Sequence, residues 1–274
     1  MGPTIDLAAS VLGVPVRLVA DGDVDAGPGL RRLAHLFDMF PGMPPGTESM
    51  RTYRLRTSEG PATALWCEGA CIGADDEVAR LVPVLVADLV AHAVASFRGF
   101  AAHAAVVTTP TGTVALLGES GAGKSTLTAA CLQEGFGYGS DEALCLEHGS
   151  ATVVPFPKPI SLLPDSPMRP SPTDLPDMGL FHADELGGSP DACPPPVRHV
   201  VVLQARVPGQ PSLAPAEPAE GVRSLLSMGF NHFKAPDAAV AVAAQVARGA
   251  QTWTLQAGDP RATARELARQ LRLR

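Results

Sequence analysis

Runs of lysine and arginine are missing from the 274 residues, and acidic side chains outnumber basic ones 28 to 21, for a formal charge of −7. Phosphate neutralisation needs clustered cations, so this balance excludes a nucleic-acid polymer as partner. The first residues lack a basic segment followed by an apolar core, and no secretory signal is expected. No long apolar stretch is free of polar interruption. The longest, 78–97, carries Pro83, Asp88 and His92 and is expected to be a buried helix, with no membrane span. Cysteine is sparse: five residues, at 67, 71, 131, 145 and 193, form an odd and scattered set. Such a set excludes a disulfide framework and fits reduced thiols in cytoplasm. Cys67 and Cys71 are spaced like half a zinc site, but no second pair accompanies them, so they are expected as ordinary strand or loop cysteines.

What is present is a hydrophobic content of 46%, enough for a substantial core in one large domain or two modest ones. The most informative segment is Gly118-Glu119-Ser120-Gly121-Ala122-Gly123-Lys124-Ser125-Thr126. It follows the apolar run 113–117 and opens the helix-like stretch 125–134. Strand, glycine-rich turn and helix together form a phosphate-binding loop, because successive amides and a helix N-terminus then converge on one anionic site. The amides from Glu119 to Ser125 are expected to cradle the α- and β-phosphates, Lys124 to reach the β- and γ-phosphates, and the Ser125 hydroxyl to hold Mg²⁺.

The chain divides into three regions. Residues 1–97 hold short alternating segments such as 14–19 and 50–56, turns around 41–46 and the apolar helix, with no recognisable chemistry. Residues 98–160 form the nucleotide-binding core, with strands expected at 104–107, 113–117, 143–147 and 152–154. From 155 to 196 prolines recur every few residues, which predicts mostly loop: a substrate-binding or mobile flap, or a plain surface connection. A strand at 197–203, helices at 219–228 and 238–247, a strand at 252–255 and a helix at 261–271 follow. Strands and helices alternating around such a loop predict an α/β fold, with domains 1–97 and 98–274.

Two further sites bear on what the loop does. His103 heads the strand HAAVV, 21 residues before Lys124, and Asp141-Glu142 follows 17 residues after Lys124. A strand-helix unit returns the chain to the same end of a sheet, so all these positions can meet at the mouth of the loop. Phosphoryl transfer to a hydroxyl needs such parts: an acid for Mg²⁺, a carboxylate to accept the proton, and a group to orient it. The pair also reads as a solvated turn after Gly137-Tyr138-Gly139, and His103 as a half-buried strand residue. Lys158 reads as a contact to a phosphate or acidic substrate, or as a surface lysine. Asp184 and Glu185 are further carboxylates, and Arg198 and Arg206 further cations, whose location the sequence does not fix.

With His103, the GESGAGKS loop, Ser140-Asp141-Glu142 and the segment Phe156-Pro157-Lys158-Pro159-Ile160-Ser161-Leu162, the chain resembles the HPr kinase/phosphorylase family, a relative of PEP carboxykinases. The similarity is closest to members found in peptide-modification clusters, including the lasso peptide kinases. It covers residues 100–163, with weaker echoes at 225–233 and 258–259. The resemblance implies a P-loop kinase core with a smaller mixed N-terminal region, ATP and Mg²⁺ as cofactors, and Asp141 as metal-holding acid. It further implies Glu142 as general base, with His103 beside it, and Lys124 and Ser125 in their loop roles.

The chain departs from the HPr-specific enzymes in two ways: a glutamate stands at 142 where they have a second aspartate, and their glycine-rich signature is absent. The glutamate's extra methylene shifts the carboxylate expected to act as base by about one C–C bond, and the missing signature points away from HPr as the substrate. The expected function is a cytoplasmic kinase acting on a serine of a peptide or small protein. A kinase of free serine or another small hydroxyl metabolite, and a nucleotide-gated peptide binder without transfer, stand as alternatives. Homo-oligomers are usual in the family.

Overall fold

The computed structural model describes residues 5–22, 24, 27–43, 47, 50–57, 62–171, 176–204 and 210–271. In chain order the elements begin with β1 (Ile5–Val11), β2 (Val14–Ala20), α1 (Pro28–Phe37), β3 (Arg51–Thr57), β4 (Thr63–Cys67), β5 (Ala70–Asp75) and α2 (Val78–Ser96). Next come β6 (Phe100–Thr109), β7 (Gly112–Leu117), α3 (Lys124–Gln133), β8 (Gly137–Ser140), β9 (Ala143–Leu146), β10 (Val153–Val154), β11 (Ile160–Ser161) and β12 (Leu180–Phe181). A 3-10 turn at Ala183–Leu186 precedes β13 (Val197–Leu203), β14 (Ser212–Ala216), α4 (Pro218–Ser227), α5 (Pro236–Gly249), β15 (Gln251–Gln256) and α6 (Pro260–Gln270). They form two compact units, one of Met1–Ser96 with Pro170–His182 and the other of Phe97–Arg169 with Ala183–Arg274.

The first unit is a five-stranded sheet in the order β1-β2-β3-β4-β5, antiparallel except for the β2–β3 pair. Two tight hairpins build it. Leu12 and Gly13 both take positive φ, as do Glu68 and Gly69, the consecutive left-handed pair that matches strand twist in a two-residue turn. Leu30, Leu33, Leu36 and Phe37 recur at helical spacing on the buried side of α1, and Leu81, Leu85 and Leu89 on that of α2. By length and composition α2 could cross a membrane. Its Asp88, however, accepts from the Tyr53 hydroxyl at 2.6 Å and from Arg51 at 2.9 Å, which ties the helix to β3. Cys67 is buried on β4 and Cys71 exposed on β5, both free thiols in ordinary strand positions.

The second unit is a sheet in the order β10-β9-β6-β7-β13-β15-β14, with β8 also paired to β6. The strands β7, β13 and β15 run parallel, while β6, β9 and β14 run antiparallel to their neighbours. Every residue of β7 is buried, as expected of a strand covered on both faces. Leu225 of α4 and Ala239, Val242, Ala243 and Val246 of α5 pack with Ala102, Ala104, Ala115 and Leu117 in one core cluster. On the opposite side α3 packs on β6 and α6. This is a mixed α/β fold with several sheets, as the alternating pattern predicts.

Strands expected at 104–107, 113–117, 143–147, 152–154, 197–203 and 252–255 match β6, β7, β9, β10, β13 and β15, and the expected helices match α4, α5 and α6. β8 occupies Gly137–Ser140, directly before the Asp141-Glu142 pair, where no strand was expected. Gly137 and Gly139 are required there by closeness to β6, because a Cβ would lie 2.3 Å from Thr108 Oγ1 at the first and 2.6 Å from Val106 Cγ1 at the second. The expected turns at 41–46 lie partly outside the described residues.

Candidate functional site

Strand register brings the sequence-predicted residues to one end of the second sheet. Leu117, the last residue of β7, pairs with Ala104, so the loop Gly118–Gly123 leaves the sheet one position from His103. On the other side of β6, His103 pairs with Ala143, which puts Asp141 and Glu142 at the same end. Gly118 packs against Leu203, the end of β13, where a Cβ would approach to 3.1 Å. Glu119, Ser120 and Gly121 are exposed, Ala122 donates its N–H to the Glu119 carbonyl at 3.2 Å, and Gly123 caps α3. Gly121 and Gly123 have φ of +82° and +88°, and a Cβ at either would meet nothing within 4 Å. Glycine is needed at both for backbone conformation, and the loop faces open space.

Lys124 opens α3 and is 7% exposed. Its ammonium donates to the Gly118 and Glu119 carbonyls at 2.7 and 2.9 Å. Burial lowers its pKa, while the negative fields of Glu142 and Asp141 pull it back up. Lys124 therefore senses both carboxylates. Ser125 and Thr126 are half-buried on the first turn, and the Thr126 hydroxyl lies 3.3 Å from that of Ser166.

The reading of Asp141-Glu142 as a solvated turn is corrected by burial: Asp141 is 4% exposed. Asp141 Oδ1 lies 2.8 Å from Lys158 Nζ and accepts from the Tyr138 hydroxyl at 3.3 Å, while Oδ2 accepts from the Ser161 amide at 3.2 Å. Tyr138 is fully buried, and burial together with the Asp141 charge raises its pKa well above the usual value, so it remains a donor. Ser140 Oγ accepts from the amides of Glu142 and Ala143 and shapes the turn that carries the pair. The Glu142 carboxylate is about a third exposed and lies 3.6 Å from His103 Nδ1.

His103 Nδ1 is also 3.1 Å from the Glu142 carbonyl. A carbonyl only accepts, so Nδ1 is the donor in this contact. The His103 amide donates to the Met228 carbonyl at 2.7 Å, and the Phe230 ring meets the imidazole edge-on at 5.4 Å. Asn231 holds this 228–231 segment onto β6. Its side chain accepts from the Ala101 amide at 3.0 Å and donates to the Gly99 and Phe97 carbonyls at 2.9 and 3.3 Å. A cleft of about 530 Å³ runs beside the loop, lined by Gly118, Ser120, Ala122, Gln204, Ser224 and Met228.

Two residues that sequence reasoning left undecided or missed belong to this cluster. Lys158 is no surface lysine: it is 5% exposed, and its ammonium also donates to the Pro159 carbonyl at 3.0 Å and lies 3.9 Å from Glu142 Oε2. The segment 156–162 is equally no plain surface connection, since Phe156, Ile160 and Leu162 are buried. Asn231 gave no local signal, because its partners lie about 130 residues away in sequence. Arg198 stands elsewhere. It sits at the start of β13, donates to the Gly249 carbonyl at 3.3 Å, and is opposite Thr113 and Val114, at the strand end away from the loop. Asp184 and Glu185 lie on the 3-10 turn that packs against α3, and Arg206 lies outside the described residues.

The donor chemistry fits the expected cofactors. Ser125 and Asp141 offer hard oxygen ligands of the kind Mg²⁺ takes. The Lys158 ammonium already lies against Asp141, so any metal there would share the carboxylate with it. The exposed loop with its open glycines and buried lysine suits a phosphate chain.

No family model matches the chain, and no curated protein matches it. Among solved structures it is similar to the Hpr(Ser) kinase/phosphatase from Coxiella burnetii, with 15% identity and a TM-score of 0.35 over 63% of this chain and 96% of that one.

Proposed function

We propose that the chain is an ATP- and Mg²⁺-dependent kinase of a hydroxyl group, acting in the cytoplasm on a serine of a peptide or small protein. The observation that carries the reading is the register of β6, which sets His103 beside both the start of the glycine-rich loop and the Asp141-Glu142 turn. Lys124 and the loop amides meet the phosphate charge. Ser125 and Asp141 would hold the metal, which when bound supplies further charge neutralisation on the phosphates.

The acceptor oxygen bonds to the γ-phosphorus as the bond from that phosphorus to the β–γ bridging oxygen breaks, leaving ADP. Glu142 takes the acceptor's proton, and a positioned base of this kind contributes roughly 10²–10⁴-fold. His103 positions the glutamate by donating from Nδ1 to its backbone carbonyl at 3.1 Å, which leaves the carboxylate 3.6 Å from the same ring nitrogen. The rest of the rate comes from positioning and preorganised charge.

A peptide acceptor is favoured by the Phe230 ring, 38% exposed yet fixed against His103, and by Phe233, 67% exposed on the same segment. Both give an apolar surface to residues flanking a serine, which free serine would not use. ADP release and the mass gain of one phosphoryl group, measured with serine-containing peptides and with free serine, test the reading. Transfer to peptides supports it, transfer to free serine alone moves it to a metabolite kinase, and ATP binding without transfer to either leaves a nucleotide-gated binder.

A further inference from the structure

The ammonium of Lys158 has few places to go. Pro157 and Pro159 fix φ on either side of it, and Phe156 and Ile160 anchor the flanks in the core. The Lys158 amide donates to the Phe156 carbonyl at 2.9 Å, and its carbonyl accepts from the buried Tyr138 hydroxyl at 2.7 Å. The side chains of Lys158 and Asp141 are 6% and 1% exposed, so neither charge is compensated by bulk water. Asp141 Oδ1 faces the ammonium and the Tyr138 hydroxyl, and Oδ2 faces the Ser161 amide. A divalent cation reaching this carboxylate meets a positive charge already 2.8 Å from one oxygen.

We infer that Lys158 is a built-in counter-cation of the Asp141-Glu142 pair, which blocks a bare divalent cation and makes metal capture depend on phosphates arriving with it. The inference rests on the proposed role of Asp141 as the metal-side acid. Like charges at this separation in a water-poor site repel strongly, and only added negative charge from phosphate oxygens offsets that repulsion. The same ammonium, drawn off Asp141, becomes a donor to a phosphate without leaving the site, because its backbone is held by Tyr138 and the two prolines.

The test uses the full chain without nucleotide and Mn²⁺ as the probe, with free Mn²⁺ read by electron paramagnetic resonance. Wild type should bind Mn²⁺ weakly and Lys158→Met at least about tenfold more tightly, since one adjacent positive charge is gone. Lys158→Arg, which keeps the charge, should stay weak. Mn²⁺ should also raise the melting temperature of Lys158→Met more than that of wild type, because the metal replaces the missing cation on a buried carboxylate. If Lys158→Met is recovered only unfolded, Lys158→Gln carries the same measurement, as it keeps a donor to Asp141 without the charge.

Equal Mn²⁺ affinity in wild type and the neutral variants overturns the inference. If Asp141→Asn weakens Mn²⁺ binding while the Lys158 variants change nothing, the counter-cation role fails and the metal placement stands. If no variant changes Mn²⁺ binding and Asp141→Asn leaves it intact as well, the metal placement at Asp141 fails too.

Discussion

Replacing Asn231 by alanine should destabilise the second unit more than any exposed substitution, although Asn231 is neither charged nor apolar. The side chain is 6% exposed and makes three hydrogen bonds, all to the backbone at 97–101. Alanine leaves the Ala101 N–H, on a fully buried residue, without its acceptor, and an orphaned buried donor costs about 1–3 kcal/mol. The Gly99 and Phe97 carbonyls lose donors as well, each with a second lone pair and a smaller penalty, so a total near 3 kcal/mol is expected. That is a large part of a domain's usual stability of about 5–15 kcal/mol.

In a unit of this size such a loss lowers the melting temperature by roughly 6–12 °C. Differential scanning calorimetry of the full chain reads it directly. The neighbouring Phe230 amide still donates to the Ala101 carbonyl at 2.8 Å, so the segment should loosen without detaching, and turnover should fall as His103 loses its fixed neighbour. A melting shift below about 2 °C, less than a loss of 1 kcal/mol would give, refutes the argument that Asn231 fastens the 228–231 segment to β6.

Lys124→Met should weaken ATP binding by roughly 10- to 150-fold, the worth of a charge-assisted bond to phosphate, as measured by calorimetric titration. Its melting temperature should not fall by much, because burial already penalises the ammonium, and undiminished kinase activity would refute the loop assignment. In the first unit, burial raises the Asp88 pKa, but the hydrogen bonds from Tyr53 and Arg51 outweigh it and hold the carboxyl below its usual value. A depressed carboxylate contributes stability above the unfolded-state pKa and loses it as pH falls through the folded one. Melting of the first unit should therefore fall as pH drops below about 4, the ordinary aspartate value, and Asp88→Asn should flatten that slope; an unchanged slope would assign the acid sensitivity to other groups.

The loop and its supports were legible because each announces itself locally. Apolar runs at 104–107 and 113–117, the glycines and lysine of the loop, and the helix after it all lie within one short stretch. Their meeting point follows from strand register, which the spacing of His103 and Asp141 anticipates. What stayed hidden depends on distant partners. Tyr138 between two glycines gives no strand signal, yet it is a buried strand residue, because those glycines serve contact with Val106 and Thr108 on β6.

Lys158 between prolines looks like a surface residue until Asp141 is known to face it. Arg198 has the right charge for a phosphate contact, but parallel pairing of β7 and β13 puts it at the wrong strand end. In the first unit β1, β4 and β5 went unseen, since their hairpins are marked only by Leu12-Gly13 and Glu68-Gly69, weak signals without the positive φ that the structure gives them.

The central claim is that the carboxylate beside His103 takes a proton during phosphoryl transfer. The direct test is the single-turnover rate of Glu142→Gln on a serine peptide that wild type phosphorylates, with ATP affinity measured on the same protein. Glutamine keeps the shape and the exposure of the side chain but cannot accept the proton. ATP binding should stay within about twofold of wild type while transfer slows by roughly 10²–10⁴-fold. An unimpaired rate would contradict it and place the base on another residue.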